Sequence, residues 1–247
     1  MKSEFLYIGH RGTRTFFDEN TITAFAKAIE YGANCVEFDV RETKDGKLII
    51  LHDSTLDRTT RSSGLLKNLS YDEIKESRTI NYNEKIPLLS EVLKVLKGKT
   101  IFMIELKDDN IKNKMMNIVN KCNVLEDCIF SGRNLHELAE IKKDFYNSRI
   151  CYNITKGLSF STNDFLKFDN QKKLKFKPDL ISLRSNLISR EFIKVCHEYK
   201  IKSLAWDFKL YKDPIFKIKS LINLGIDGIL FDNHTNIMKI KRWLELV

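Results

Sequence analysis

At 247 residues and 43% hydrophobic composition, the chain suits one large domain or two small ones with a sizeable core. No segment approaches the roughly 20 consecutive apolar residues of a membrane span, and no apolar stretch of signal-peptide length follows Met1, so a cytoplasmic soluble protein is expected. The formal charge of +9 comes with lysines dispersed along the chain, which reads as a solvated surface rather than a nucleic-acid footprint and lends mild support to an anionic ligand.

The first element is the apolar strand Phe5 to Gly9, which delivers His10-Arg11-Gly12 into a loop. Asn20 or Thr21 can cap the helix that follows, where Ile22, Phe25, Ala26 and Ile29 form a stripe and Gly32 supplies the stop. In the next strand, Cys35 to Val40, apolar and acidic residues alternate, so Val36, Phe38 and Val40 face one way and Glu37 and Asp39 share the other face. Asp45-Gly46 is a two-residue hairpin signal before a second strand, Leu48 to His52, and that turn sets Lys44 opposite Lys47, Arg41 opposite Ile50 and Asp39 opposite His52. One short segment thus gathers Glu37, Asp39 and His52.

A polar stretch through Arg58-Thr59-Thr60 and Ser62-Ser63-Gly64 follows, then a short helix Tyr71 to Glu76 with a Ser70/Glu73 capping box, and a helix Leu89 to Leu96 between Pro87 and Gly98. This excursion is either a small cap over a neighbouring site or a plain connection. Ile101 to Lys107 repeats the earlier pattern, an apolar strand ending in Glu105 and Lys107 on one face, with a helix expected over 108–121. Further strands are expected at Cys128 to Ser131, Arg149 to Asn153, Asp179 to Leu183, Lys202 to Trp206 and Gly228 to Phe231. Helices should follow Asn134, run from Ser189 to Tyr199, from Pro214 to about Asn223 and from Ile237 to Leu246, and the lysine-rich stretch 155–177 reads as helix.

About eight strand-helix units in 247 residues have the size and order of a (β/α)8 barrel with a hairpin extension after strand 2. The alternative is a doubly wound open sheet. The barrel is favoured because no G-x-G-x-x-G follows the first strand and because polar residues recur at strand C-terminal ends: His10, Asp39, Glu105, Lys107, Ser131, Asn153, Trp206 and Asp232. No internal repeat or linker divides residues 1–247, so one domain is expected. The five cysteines, Cys35, Cys122, Cys128, Cys151 and Cys196, form no C-x-x-C pair and read as reduced core thiols, not a zinc site or disulfide frame.

Glu37, Asp39 and Glu105, with no cysteine at matching positions, describe an oxygen-donor site for a hard divalent cation such as Mg²⁺ or Ca²⁺. Arg11 and Lys107 add positive charge for an anionic substrate, most simply a phosphate. His10 and His52 can flank that phosphate as a proton-transfer pair, since an unperturbed imidazole pKa of about 6.5 suits both directions at neutral pH. The reaction class is metal-assisted phosphodiester cleavage.

The residues His10-Arg11-Gly12, Glu19-Asn20-Thr21, Glu37-x-Asp39-Val40, Thr43 to Gly46, His52-Asp53, Arg58-Thr59-Thr60, Ile86-Pro87 and Glu105-x-Lys107 together resemble the glycerophosphodiester phosphodiesterase family, densely from residue 8 to about 107 and thinly afterwards. The resemblance implies a TIM-type barrel that hydrolyses glycerophosphodiesters to glycerol 3-phosphate and an alcohol. It implies His10 and His52 as general acid and base in either order, Glu37, Asp39 and Glu105 as ligands of a divalent metal (Ca²⁺ or Mg²⁺), and Arg11 and Lys107 as phosphate binders. Trp206 is the candidate for the glycerol side, or else core packing. Three departures stand out: Asp18 in place of proline, Ser131-Gly132 in place of Ser-Phe, and Phe231-Asp232-Asn233-His234 in place of Thr-Asp-x-Pro. On this reading none touches the metal or the histidines.

His136, His197 and His234 read as structural. Glu19 is a neighbour of the site or a helix-start residue, Arg58 reaches the site or pairs on its loop, and Asp207 and Asp232 carry no assignment. The expected partner is a small glycerophosphodiester, with no nucleic acid, no transmembrane segment and an open oligomeric state. A lysophospholipase D-type enzyme, with peripheral membrane contact, is the alternative activity. A phosphate-binding barrel without catalysis is disfavoured by the full set of two histidines and three acids.

Overall fold

Alternation with period two gives each strand one side chain set for a cylinder's interior and one for the layer of helices around it, and the chain closes accordingly. A computed structural model describes residues 5–155, 161–167 and 176–246. In chain order the elements are β1 (Leu6–Gly9), α1 (Ile22–Glu30), β2 (Cys35–Glu42), β3 (Leu48–Ile50), α2 (Tyr71–Ile74), α3 (Leu89–Leu96), β4 (Ile101–Leu106), α4 (Lys112–Cys122) and β5 (Cys128–Gly132). They continue with α5 (Leu135–Asp144), β6 (Arg149–Asn153), α6 (Thr162–Leu166), β7 (Leu180–Arg184), α7 (Arg190–Glu198), β8 (Lys202–Trp206), α8 (Pro214–Asn223), β9 (Gly228–Phe231) and α9 (Thr235–Leu244). Eight of the strands run parallel in the order β1-β9-β8-β7-β6-β5-β4-β2, and β1 pairs with β2 to close the ring. This is the (β/α)8 barrel, and the open doubly wound sheet is excluded.

Inside the barrel Leu6, Ile8, Cys35, Met103, Ile129, Cys151, Leu180, Leu204 and Leu230 pack on one another. The opposite face of β2, Val36, Phe38 and Val40, packs outward with Phe25 and Ala28 of α1 and with Phe102 of β4. Phe38 is fully buried, its ring 5.6 Å from that of Phe25 and 6.3 Å from that of Phe102. Burying such a side chain stabilises by about 2–3 kcal/mol relative to leaving it in water. Apolar residues therefore fill the floor of the barrel, and polar residues collect at its C-terminal mouth.

The hairpin differs from its expected register. Val40 pairs with Ile50, Arg41 with Ile49 and Glu42 with Leu48, one residue away from the pairing a two-residue turn requires. Thr43 donates its N–H to Lys47 O, and Thr43 Oγ1 bonds Asp45 Oδ1 and accepts from Lys47 N, so three residues, Lys44 to Gly46, form the loop with Gly46 at φ 79°. A three-residue hairpin with glycine in the left-handed position is the next commonest loop. Leu51, not His52, lies across from Asp39, bonding Asp39 O at 3.0 Å. Because β3 ends at Ile50, His52 stands beyond the ladder and its ring is not committed to either sheet face. One edge of β2 pairs with β4 over Cys35 to Val40, so β1 and then β3 share the other edge.

Helix bounds differ as well: α2 ends at Ile74 instead of Glu76, α9 runs Thr235–Leu244 instead of Ile237 to Leu246, and two others differ more. α4 begins at Lys112 instead of residue 108, because Asn110 adopts φ 65° and Asp108 is taken by Arg41 and by the N–H of Glu42. Of the helix expected in 155–177, Thr162–Leu166 is helical and residues 156–160 and 168–175 lie outside the described part. Thr21 is the cap of α1, accepting from Ala24 N at 3.1 Å, and the Ser70/Glu73 capping box of α2 is present. The excursion between β3 and α3 has a small core of its own, in which Ile49, Leu51, Leu56, Leu66, Ile74 and Ile86 pack together. All five cysteines are free. Among the described residues, no helix is long and apolar enough to cross a membrane.

Candidate active site

The acids meet because two adjacent strands carry them in register. Asp39 of β2 pairs with Glu105 of β4, and ligand atoms of Glu37, Asp39 and Glu105 all lie within 4.8 Å of one another. Glu37 and Asp39 are 2% and 1% exposed, so their desolvation has to be offset. Burial, and then the charges of Asp39 and Glu105, push the Glu37 carboxyl well above the usual range. Asp39 goes the other way: burial would raise it, but Lys107, Arg11 and His52 outweigh that and hold it low. Lys107 Nζ sits 3.4 Å from Asp39 Oδ1 and 3.1 Å from Glu105 Oε1, and Arg11 Nε is 3.3 Å from Asp39 Oδ2. Glu37 Oε1 is buried and has no hydrogen-bond partner among the described residues. Three carboxylates converging around an orphaned oxygen form a donor set that fits a hard divalent cation.

The loop after β1 aims its groups through backbone shape. Arg11 and Gly12 take φ 53° and 76° in succession, which turns the Arg11 N–H onto Glu37 Oε2 at 2.8 Å. A left-handed non-glycine residue costs about 1–2 kcal/mol, and the Arg11 side chain offsets this through Glu19 Oε1 at 2.7 Å as well as Asp39. Glu19 also accepts from Arg58 at 2.6 Å, and although burial opposes it, these guanidinium groups hold its carboxyl down at about 2. Glu19 is therefore a bridge behind Arg11, and Arg58 joins the excursion to the site through Glu19 and Asp53. Asn20, also left-handed, donates to Asp39 Oδ2 at 2.9 Å.

His10 Nδ1 lies 2.8 Å from Asp232 Oδ1, and His10 Nε2 lies 4.0 Å from Glu37 Oε2. Although burial opposes it, His10 and then Arg14 hold the Asp232 carboxyl at about 2, so it is ionised and can only accept, and Nδ1 carries the proton. His52 repeats the arrangement with Nδ1 2.6 Å from Asp53 Oδ1, while its carbonyl accepts from Arg41 Nε at 2.8 Å. Burial first, then Arg11 and Lys107, lower the His52 imidazole, favouring the neutral ring. In both, Nε2 is left for other work.

A cavity of about 290 Å³ at the mouth is lined by His10, Arg11, Glu37, His52, Glu105, Lys107 and Trp206, with Asp39 buried behind them. All eight residues singled out from the sequence thus come together. Trp206 is half-buried with the Arg184 guanidinium 5.0 Å above its ring. The residues missed are Asp232, Arg14, whose Nε is 3.2 Å from Asp232 Oδ1, and Arg133, which lines the cavity. In the Phe231–His234 ending it is Asp232, the position shared with Thr-Asp-x-Pro, that binds His10, while the side chains that depart from that pattern, Phe231 and His234, do not. His234 is structural as expected, buried against Phe17 and Tyr31 and bonded to Thr13 Oγ1 at 3.0 Å.

Residues 10–235 match the family model described as the glycerophosphoryl diester phosphodiesterase family. A glycerophosphodiester phosphodiesterase of Caldanaerobacter subterraneus subsp. tengcongensis is 30% identical over 249 residues, 96% of this chain and 98% of its own. Among solved structures, the glycerophosphodiester phosphodiesterase of Thermotoga maritima is 27% identical with a TM-score of 0.78, covering 97% of this chain and 100% of its own. A phosphodiesterase of Oleispira antarctica, solved in complex with the product sn-glycerol-3-phosphate, shares the fold with a TM-score of 0.80 at 22% identity, covering 97% of this chain and 96% of its own. With a match from His10 to Thr235 and a full-length relative at 30% identity, the chain belongs to the glycerophosphoryl diester phosphodiesterase family.

Proposed function

We propose that the protein hydrolyses glycerophosphodiesters to sn-glycerol 3-phosphate and an alcohol, with Glu37, Asp39 and Glu105 holding a divalent cation and His10 and His52 transferring the protons. The observation that carries this reading is the convergence of the three carboxylates within 4.8 Å around the unpartnered Glu37 Oε1, in the cavity that both histidines line. A cation held by Glu37, Asp39 and Glu105 would supply Lewis-acid stabilisation of the negative charge that builds up on the phosphoryl group.

The protein's own side chains do the rest. Arg11 and Lys107 face the same cavity and bind the nonbridging oxygens, which lowers the cost of bringing an anion beside three acids. His10, its Nδ1–H given to Asp232, presents the Nε2 lone pair for proton transfer, and the buried anion behind it stabilises the imidazolium that forms. His52 is held in the same tautomer by Asp53. The ring that enters neutral takes a proton at Nε2 from the attacking water, and the other, entering as the imidazolium with Nδ1–H on its carboxylate, gives its Nε2 proton to the leaving alcohol as the P–O bond to that alcohol breaks. Trp206, under Arg184, forms the wall against which the glycerol carbons pack.

The test is a panel of glycerophosphodiesters assayed with EDTA and then with Ca²⁺ or Mg²⁺ restored, lysophosphatidylcholine being included beside glycerophosphocholine. Release of sn-glycerol 3-phosphate that EDTA stops and the cation restores is the expected result. Hydrolysis confined to the lysophospholipid would transfer the reading to a lysophospholipase D.

A further inference from the structure

A phosphodiester has two substituents, and the barrel mouth has two cavities that meet. Beside the 290 Å³ cavity lies a cleft of about 450 Å³ running between the chain after β4 and the start of α5. The residues common to both walls are His52, Glu105, Lys107 and Arg133, while His10, Trp206 and Arg184 line only the smaller cavity. The phosphate belongs at that junction. One substituent then enters the smaller cavity, whose Asn153, Ser182 and Arg184 suit the hydroxyls of glycerol, and the other has the cleft.

The two cavities differ in charge. Apart from histidines, the smaller one presents five cationic side chains against three carboxylates, and the cleft presents three against five. The chain carries a formal charge of +9, so an acid-rich cleft runs against its average. Its cations are largely committed, Arg41 to Asp108 and to the His52 carbonyl, and Lys107 to Asp39 and Glu105. Arg133 has no ion pair or hydrogen bond among the described residues and stands at the junction, where the phosphate would take it up. The carboxylates left for a ligand are Asp109, exposed and bonded among the described residues to Asn134 Nδ2, and Glu137, 6% exposed and accepting from the backbone N–H groups of Lys112 and Ile111. The Glu137 carboxyl is raised by its burial and then by Asp109 and Glu140, so a cation placed between these acids would be welcome. The cleft exists partly because residue 132 has no side chain. A Cβ on Gly132 would meet Leu106 and Leu138 first, at 3.7–3.9 Å, both of which line the cleft with it, and a larger group would grow into it.

We propose that this cleft is the subsite for the departing alcohol and that it selects short amino alcohols, whose ammonium group sits between Asp109 and Glu137. Among the described residues no Phe, Tyr or Trp lines the cleft, so a primary ammonium that can donate hydrogen bonds is preferred to a quaternary one that needs such a ring face. The proposal rests on the phosphodiesterase reading above and adds the head-group class to it.

The experiment compares kcat/KM for glycerophosphoethanolamine and for glycerophosphoglycerol, with the divalent cation present, in wild type, in Asp109→Lys and in Asp109→Asn combined with Glu137→Gln. Folding of each variant is checked by its melting curve. For partly exposed charge pairs the expected preference of wild type for the amino alcohol is about fivefold, falling to about one in the double variant and inverting in Asp109→Lys. Asp109 is exposed, so the lysine variant keeps the test alive if the double variant does not fold. A wild-type ratio near one, or a ratio that neither variant moves, overturns the subsite while leaving the activity standing. Failure of wild type to cleave either substrate overturns the activity, and the subsite with it.

Discussion

Replacing Asp232 by asparagine tests whether His10 works through its buried partner. The carboxylate accepts from Nδ1 at 2.8 Å and its pKa lies near 2 against an ordinary 3.8, with His10 and Arg14 outweighing the burial. That depression corresponds to about 2 kcal/mol of stabilisation of the ionised form. A depressed carboxyl contributes its stability above the unfolded pKa of about 4 and loses it as the pH falls toward 2. Wild type should therefore lose about 2 kcal/mol of unfolding free energy over that window, and Asp232→Asn should not show that part of the loss. For activity, an amide can turn its NH₂ toward Nδ1 and drive the proton to Nε2, taking away the lone pair that the reaction uses. General acid-base catalysis contributes about 10²–10⁴-fold, so kcat measured as sn-glycerol 3-phosphate release should fall by at least about 100-fold. KM should move little, because Asp232 is buried behind the ring. A variant with kcat within threefold of wild type would refute the argument that Asp232 sets the tautomer of His10.

Saturating Ca²⁺ or Mg²⁺ should raise the melting temperature, since a ligand at about 100 times its Kd adds about 2.7 kcal/mol, and EDTA should remove both that increment and the activity. Glu37→Gln should abolish the cation-dependent shift yet melt at or above the cation-free wild type, because it relieves a buried carboxyl that is raised by desolvation and two like charges; a variant that melts lower and still responds to the cation contradicts this. His10→Ala and His52→Ala should each lower kcat by at least about 100-fold while binding of sn-glycerol 3-phosphate, followed by calorimetry, persists. Phe38→Ala should cost about 3–5 kcal/mol in urea unfolding, because the ring is fully buried between those of Phe25 and Phe102; a loss under about 1 kcal/mol would mean that the layer around β2 repacks.

The strands were legible wherever an apolar run ended in a polar residue, and β6, β8 and β9 match their expected bounds at both ends. What the local pattern concealed was competition by side chains. Asp45-Gly46 looks like a complete two-residue turn, but the Thr43 hydroxyl binds both Asp45 and Lys47 and draws a third residue into the loop. A slip of one residue sends every side chain of a strand to the other face, and His52 escapes because the ladder stops at Ile50, two residues earlier. Similarly, the polar start expected for α4 is used elsewhere, with Asp108 held by Arg41 and the Glu42 N–H.

The Asp232–His10 pair is a different case, because it joins residues 222 positions apart and no local pattern carries it. It follows from closure. A barrel of eight parallel strands has to lay its last strand against its first, and polar residues mark the C-terminal ends of both. The observed register sets Gly9 against Phe231, and His10 N donates to Phe231 O, so the next residue on each strand, His10 and Asp232, must be neighbours at the mouth. Commitment to a closed barrel thus already implied a carboxylate beside the first histidine, and an open sheet, with β1 and β9 far apart, would have left His10 without that anion and free to take either tautomer.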